Sequence, residues 1–412
     1  MSQAPFNHID TFIKAIPSSS SVTIAYFLDV GLPSELIDQV GISHFLEHMC
    51  FRGTKNRTAY QITQEVDALG AQMNAYTSKE FTCYYITLLP ENLAQGLDIL
   101  TDIVFYSNHD EKSIELEKSI ISEEIKMYED TPDEKIMDVF NAQLFNNAYL
   151  GRPILGTFDS IGTFDASILR SFYRQYFNPK NIKCVIAGAI DNTDQVDGLL
   201  KKSLGDIDFK ISDFDQASLK GVSFKSSHLH VDKDLEQMHF CMGYPGFSYV
   251  HEDRYALTAL TTILGGSMSS RLFQAVREKE GLAYSIYCSP SFYRDTGAIQ
   301  IYAGTSKENY HRAVECIMEQ IKILLADGVN QEEFQRSKQQ LKGSIIINLE
   351  GSSAWANWLG RQFIYNTGMS DISDIESKLD AVTLDDVIRV AGYLMDDTYK
   401  VGVSLGRLKS ND

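Results

Sequence analysis

The chain of 412 residues carries 37 Lys and Arg against 55 Asp and Glu, which gives a formal net charge of −18. This charge opposes binding to nucleic acid phosphates, and no apolar run reaches the length of a membrane span, so both classes of protein are excluded. The hydrophobic fraction of 44% is typical of a globular protein. The length predicts about two or three domains.

The six cysteines are far apart and form no CxxC pair, so we expect buried, reduced thiols. The first ten residues have neither the apolar core of a secretory signal nor an Arg-rich amphipathic presequence. We therefore expect a cytoplasmic location. A location in the mitochondrial matrix would require that a presequence had been removed.

The first half of the chain combines strand and helix patterns. An apolar run at 22–30 predicts a buried strand, and alternating residues at 72–77 and 81–88 predict two paired strands. A further apolar strand is predicted at 182–190. The predicted helices of this half span residues 41–52, 59–69, 90–104, 111–128 with further helix to about 145, and 165–176.

A polar stretch without periodicity at 206–222 predicts a linker, after which the second half repeats the order of elements. The phrase Pro90-Glu91-Asn92-Leu93 and the phrase Lys307-Glu308-Asn309-Tyr310 each follow a predicted strand, as expected for a duplicated domain. The predicted elements of this half are strands at 228–231, 237–243, 283–289 and 298–305 and helices at 253–264, 271–278 and 307–325. We therefore predict an α+β protein of two homologous domains, 1–205 and 223–412, each a mostly antiparallel sheet packed with helices.

The strongest chemical signal is the segment Gly41-Ile42-Ser43-His44-Phe45-Leu46-Glu47-His48. On a helix, His44 and His48 are one turn apart and point the same way, so both rings can bind one metal ion. Glu47 is close enough to act as a general base on an attacking water without being a ligand. The alternative is a surface helix that holds two His and a Glu by chance, and the short pattern alone leaves both interpretations open.

A catalytic zinc site needs a third protein ligand and an open position, and the helix predicted at 111–128 offers several carboxylates. Glu117 and Glu124 are two turns apart and share a partly apolar stripe with Ile121 and Tyr128, so they are expected to face inward. The other two carboxylates fit a solvated face with ion pairs to lysines three residues later; they are Glu115 and Glu123.

The motif HFLEH at 44–48, followed later by Glu124, resembles the inverted-motif zinc peptidases, the inverzincins, whose members include pitrilysin, insulysin and the mitochondrial processing peptidase. The likeness extends over most of the chain and is closest to the short two-domain members. Besides the motif it rests on 41–43, Met49, 52–54, Asn74-Ala75-Tyr76-Thr77, 117–129, 265–273 and 276–285.

The resemblance implies one zinc ion per chain, bound by His44, His48 and Glu124, with Glu47 as the general base. It implies that Glu117 supports the site without binding the metal. In the second half, Arg277 and Tyr284 match a pair that holds substrate and stabilises the developing oxyanion.

From this resemblance we expect a zinc endopeptidase that acts on peptides or unfolded segments. The alternative is a non-catalytic or scaffold subunit of a heterodimeric processing peptidase, although such subunits lose the motif that this chain retains. The net negative charge favours cationic peptides as substrates, and the alternative, the more common one for such a charge, is an acidic surface that only contacts solvent. Because long family members close four such domains around a chamber and this chain has two, we expect a homodimer or a heterodimer with a homologous subunit.

Overall fold

The computed structural model describes residues 2–6, 9–146, 148–205, 207 and 223–408, and these form two compact units. The predicted linker at 206–222, apart from Ile207, lies outside the described residues. The strands are β1 (Ser2–Phe6), β2 (Ile9–Ala15), β3 (Val22–Leu28), β4 (Gln72–Thr77), β5 (Thr82–Leu88), β6 (Ile182–Gly188), β7 (Ser227–Val231), β8 (Gln237–Gly246), β9 (Ala283–Phe292), β10 (Gly297–Ser306) and β11 (Val401–Leu405).

Fourteen α-helices lie in the described part of the chain, together with a π-helical turn at Phe273–Lys279. The helices are α1 (Ile42–Cys50), α2 (Ala59–Ala68), α3 (Leu93–Phe105), α4 (Glu111–Glu129), α5 (Pro132–Leu144), α6 (Phe158–Gly162), α7 (Ala166–Tyr176), α8 (Thr193–Leu204), α9 (Arg254–Gly265), α10 (Tyr310–Asp327), α11 (Gln331–Asn348), α12 (Ser352–Ile364), α13 (Ile372–Ala381) and α14 (Leu384–Leu394). None of these helices has the length and apolar character that a membrane span requires.

The first unit is built on a six-stranded sheet in the order β1-β2-β6-β3-β5-β4. Neighbouring strands are antiparallel except β2 and β6, which are parallel. The central strand β3 is buried along its whole length because helices cover both faces of the sheet. Ile24 and Tyr26 share an apolar cluster with Phe45 of α1, whereas Phe27 points to the opposite face and meets Gly360 of α12.

The second unit contains a five-stranded sheet in the order β7-β11-β8-β10-β9. The pairs are antiparallel except β7 and β11. Leu260 of α9, Ile317 of α10 and Val387 of α14 pack into one apolar cluster with Ile301 of the sheet. Helix α5 packs against β8 and β11.

The structure confirms the predicted α+β class with two sheet-and-helix units. The units differ from the predicted continuous domains 1–205 and 223–412 in two segments. Met127–Arg152, which contains α5, belongs to the second unit, and Ile347–Ser370, which contains α12, belongs to the first. The physical reason is that each helix covers a face of the sheet formed by the other half of the sequence, and the period of a helix does not indicate which sheet it covers.

Candidate metal centre

Helix α1 carries the histidine motif, and its start is fixed by an acidic side chain from the preceding loop. The Glu35 carboxylate accepts hydrogen bonds from the backbone N–H of Gly41, at 2.9 Å, and of Ser43, at 3.1 Å. Gly41 itself has φ +93°, and a Cβ there would collide with the backbone at Gly156. A carboxylate suits these unpaired N–H groups because a helix N-terminus is electropositive. The capping role of Glu35 was not predicted, because Glu35 lies six positions before Gly41 and no local capping pattern links the two.

The three predicted metal ligands converge in the first unit. One ligand atom from each of His44, His48 and Glu124 lies within 4.8 Å of the other two. The Nε2 atom of His44 is 3.8 Å from one Glu124 oxygen, and the Nε2 atom of His48 is 3.7 Å from the other. The two imidazole rings, one helical turn apart, have centroids 4.6 Å apart.

The surroundings of the two imidazoles prepare them to bind a metal ion. Burial, together with the nearby His48, lowers the pKa of His44 to about 3, so its ring is neutral at physiological pH. His48 donates from Nδ1 to the Oε2 atom of Glu117 over 3.0 Å in the tautomer that this contact favours, which leaves the Nε2 lone pair free. Two imidazole nitrogens, a carboxylate and room for a further ligand match the donor set of a catalytic zinc site, so the residues fit the metal that the motif implies.

Glu117 lies beneath this cluster and is completely buried. Its second oxygen accepts a hydrogen bond from Nε of Arg52, so the carboxylate contacts two cationic or donor groups and is absent from the convergent ligand set. Glu117 therefore contacts a candidate ligand without belonging to the ligand set itself. The contribution of Arg52 was not expected.

The side chain of Glu47 lies beside the cluster of His44, His48 and Glu124 and is 8% exposed. Burial raises the pKa of its carboxyl group, an effect that a hydrogen bond from Thr77 and the neighbouring His48 partly offset. Thr77 donates this bond from Oγ1 to the Oε2 atom of Glu47. A buried carboxylate beside the ligand cluster, with a raised pKa, is suited to accept a proton and pass it on.

An open cavity of about 490 Å³ begins at Glu47 and His48. Its remaining lining residues are Phe51, Arg52, Ala59, Tyr60, Thr63, Asn74 and Glu117. Tyr60 is 73% exposed, so the cavity offers an aromatic surface to a solvent-borne molecule. The general base candidate is therefore accessible despite its own burial.

Arg277 and Tyr284 belong to the second unit, where the structure brings these two side chains together. Arg277 lies in the π-helical turn, with its guanidinium carbon 5.3 Å from the ring centroid of Tyr284 and 4.8 Å from that of Phe273. Tyr284, on β9, is 80% exposed. Both side chains can therefore offer hydrogen-bond donors to a ligand of that surface.

Residues 11–158 match the family described as Insulinase (Peptidase family M16), and residues 163–341 match the one described as Peptidase M16 inactive domain. The chain is 36% identical to the uncharacterized zinc protease YmxG of Bacillus subtilis over 397 aligned residues, which make up 96% of each chain. It is 34% identical to an uncharacterized zinc protease of Streptomyces coelicolor over 382 aligned residues, which make up 92% of this chain and 83% of that protein.

Solved structures show the same fold. A protease from Helicobacter pylori superposes with a TM-score of 0.89 at 22% identity and 98% coverage of both chains. A structure from Pseudomonas fluorescens, described as a peptidase M16 inactive domain, has a TM-score of 0.90 at 16% identity, with 98% and 97% coverage. The family matches and the relatives along almost the whole length confirm the resemblance that the motif indicated, and the chain belongs to peptidase family M16.

Proposed function

We propose that this chain is a zinc-dependent endopeptidase that hydrolyses peptides or unfolded segments. The observation that carries the proposal is the convergence of His44, His48 and Glu124, with Glu47 beside them but outside the ligand set. The names of the relatives, which are called zinc proteases, support zinc as the metal.

In this proposal each side chain has a separate task. When bound, zinc supplies the Lewis acidity that makes a water nucleophilic near neutral pH and polarises the scissile carbonyl. Glu47 accepts a proton from the attacking water and then passes it to the nitrogen of the leaving amine. Glu117 holds the His48 ring in place. Arg277 and Tyr284 are proposed to donate hydrogen bonds to substrate and to the oxygen on which negative charge develops.

The decisive experiment compares wild type with Glu47→Gln in metal content and in turnover of fluorescence-quenched peptides. We expect about one zinc per chain in both proteins, and a turnover lower by about 10²–10⁴ in the variant, because the base is lost and the ligands remain. Glu123→Gln is the matched control, because it neutralises an exposed carboxylate that is paired with Lys126 on α4. Unchanged turnover in Glu47→Gln, or loss of its zinc, would contradict the proposal.

The same assay separates the peptidase from the alternatives. A non-catalytic or scaffold subunit, and equally a protein that only stores zinc, would leave all peptides intact, so wild type and Glu47→Gln would not differ. A mixed peptide library with and without a chelator tests the preference for cationic peptides proposed from the charge of −18. Equal cleavage of acidic and basic peptides at low salt would refute that preference.

We also propose that the chain forms a dimer, either with itself or with a homologous subunit. Light scattering of the purified chain tests the homodimer, and a monomer mass at micromolar concentration would refute it.

A further inference from the structure

Strand β4 links two helices on opposite faces of the first sheet. Its residues alternate between the faces, so Thr77 points to the side of α1 and Tyr76 to the side of α12. Thr77 contacts Glu47 of α1, and Tyr76 contacts Asn357 of α12. Two adjacent residues of one strand therefore join the candidate general base to a helix that lies about three hundred residues later in the sequence.

We infer that Thr77 is a positioning residue for the Glu47 carboxylate, and that α12 holds it in place through Tyr76. This inference rests on the proposed peptidase function. Its first support is the direction of the hydrogen bond between Thr77 and Glu47. The Thr82 hydroxyl, opposite Thr77 in the strand register, donates its one hydrogen to the carbonyl of Val30 at 2.9 Å, so it cannot donate to Thr77. Thr77 donates its own hydrogen to Glu47, because the Glu47 oxygen is 2.5 Å away and the Thr82 oxygen is 3.5 Å away.

This hydrogen bond makes the two oxygens of Glu47 unequal. Oε2 accepts a hydrogen bond from Thr77. Among the described residues, Thr77 is the one that donates a hydrogen bond to this carboxylate. Oε1 thus retains its lone pairs for the proton that leaves the attacking water and moves on to the amine nitrogen. A carboxylate held in one orientation reacts from a defined position, whereas a freely rotating one must first find it.

The second support is that β4 needs an external anchor. It is the last strand of the described sheet, with β5 as its single neighbour. The hydroxyl of Tyr76 donates to Oδ1 of Asn357 over 2.7 Å. The orientation of that amide follows from its other contact, because Nδ2 donates to the carbonyl of Ser353 at 3.1 Å.

A second contact from the same segment holds the turn between β4 and β5. Tyr365, which follows α12 directly, donates from its hydroxyl to the buried carboxylate of Glu80 over 2.8 Å. The ring of Phe81 packs edge-on against both Tyr76 and Tyr365, with centroid distances of 6.0 and 6.3 Å. The β4–β5 hairpin is therefore held at Tyr76 by α12 and at Glu80 by the residue that follows α12. These two positions lie on either side of Thr77, which contacts Glu47.

The test uses the zinc-loaded full-length chain and measures kcat and KM separately. Thr77→Val keeps the branched shape and removes the hydroxyl, and we expect kcat to fall about 10- to 100-fold with KM and zinc content unchanged. Thr77→Ser restores the hydroxyl and should recover most of kcat. Wild-type kcat in Thr77→Val, a failure of Thr77→Ser to recover it, or loss of zinc together with activity would each overturn the positioning role.

The role of α12 in holding Thr77 through Tyr76 is tested with Tyr76→Phe, Asn357→Leu and Asn357→Asp. The first two remove the hydrogen bond and should each lower kcat by about tenfold, with little further loss when combined, because they break one contact. Asn357→Asp keeps an acceptor oxygen and should retain activity. Unchanged kcat in Tyr76→Phe and Asn357→Leu overturns the role of α12. Wild-type protein that lacks zinc-dependent cleavage instead refutes the proposed function, so the two failures are distinguishable.

Discussion

The Nδ1 atom of His48 and the Oε2 atom of Glu117 are 3.0 Å apart, and this hydrogen bond joins α1 to α4 beneath the candidate metal centre. A carboxylate that accepts from Nδ1–H fixes the ring orientation and directs the Nε2 lone pair outward. Since Glu117 is fully buried and also accepts from Arg52, its position is defined from two sides.

We predict that Glu117→Gln weakens zinc binding by about 10- to 100-fold without abolishing it. The amide loses one acceptor and presents an N–H₂ group to Arg52 or to His48, both of which are donors here. A competition titration against a fluorescent zinc chelator measures the affinity. The control is Glu115→Gln on the same helix, where the carboxylate is 70% exposed and paired with Lys118. An affinity equal to that of wild type would show that Glu117 does not support the site.

Much of this site follows from helical spacing. His44 and His48 are one turn apart, and Glu117 and Glu124 are two turns apart, so each pair had to share a face once its helix formed. The contacts of Thr77 and Arg52 could not be predicted, because the first depends on how β4 packs against α1 and the second on how the segment after α1 packs against α4. Periodicity carries no information on such tertiary distances.

We predict that two Gly→Ala substitutions in helices change stability in opposite directions. A methyl group at Gly360 of α12 would overlap the ring of Phe27 on β3, so Gly360→Ala should destabilise by about 1–3 kcal/mol. In the described part of the chain, a methyl group at Gly343 of α11 meets no atom within 4 Å outside its own helix backbone, so Gly343→Ala should stabilise by about 0.5–1 kcal/mol through helix propensity. Urea titrations give both free energies. Stabilisation by Gly360→Ala would contradict the packing of α12 on the first sheet.

The same helix marks the limit of what could be predicted of the fold. Apolar runs indicated β3 and β6, and alternating residues indicated β5, all within a few residues of their observed ends, because strand patterns are local. The backbone of α12 lies so close to the ring of Phe27 at position 360 that only a glycine fits there. The Ser352 hydroxyl also contacts the hydroxyls of Ser21 and Thr23, both at 2.8 Å. These contacts join residues more than three hundred positions apart. A local reading of the sequence could not identify them.

His109 gives the protein a pH-dependent stability. Its side chain is 4% exposed, its Nε2 atom has no hydrogen-bond partner among the described residues, and its ring packs against Tyr173 at 4.8 Å. Burial, with a smaller effect of Arg170, lowers its pKa to about 4 from an ordinary value of 6.5. Between these two pH values the unfolded chain binds a proton that the folded chain does not bind. The free energy of unfolding therefore falls as the pH is lowered from 6.5 towards 4.

We predict that His109→Phe removes part of this acid sensitivity. Phe keeps the ring contact with Tyr173 and cannot take up a proton. Between pH 7 and pH 4 the free energy of unfolding of the variant should therefore fall by up to about 3 kcal/mol less than that of wild type. Urea titrations of both proteins across this range, at one zinc concentration, give the difference, in which the titration of all other groups cancels. The control is His228→Phe, which replaces an exposed histidine of β7 and should follow the wild-type curve. Parallel pH profiles for His109→Phe and wild type would mean that His109 is protonated in the folded chain, contrary to its burial.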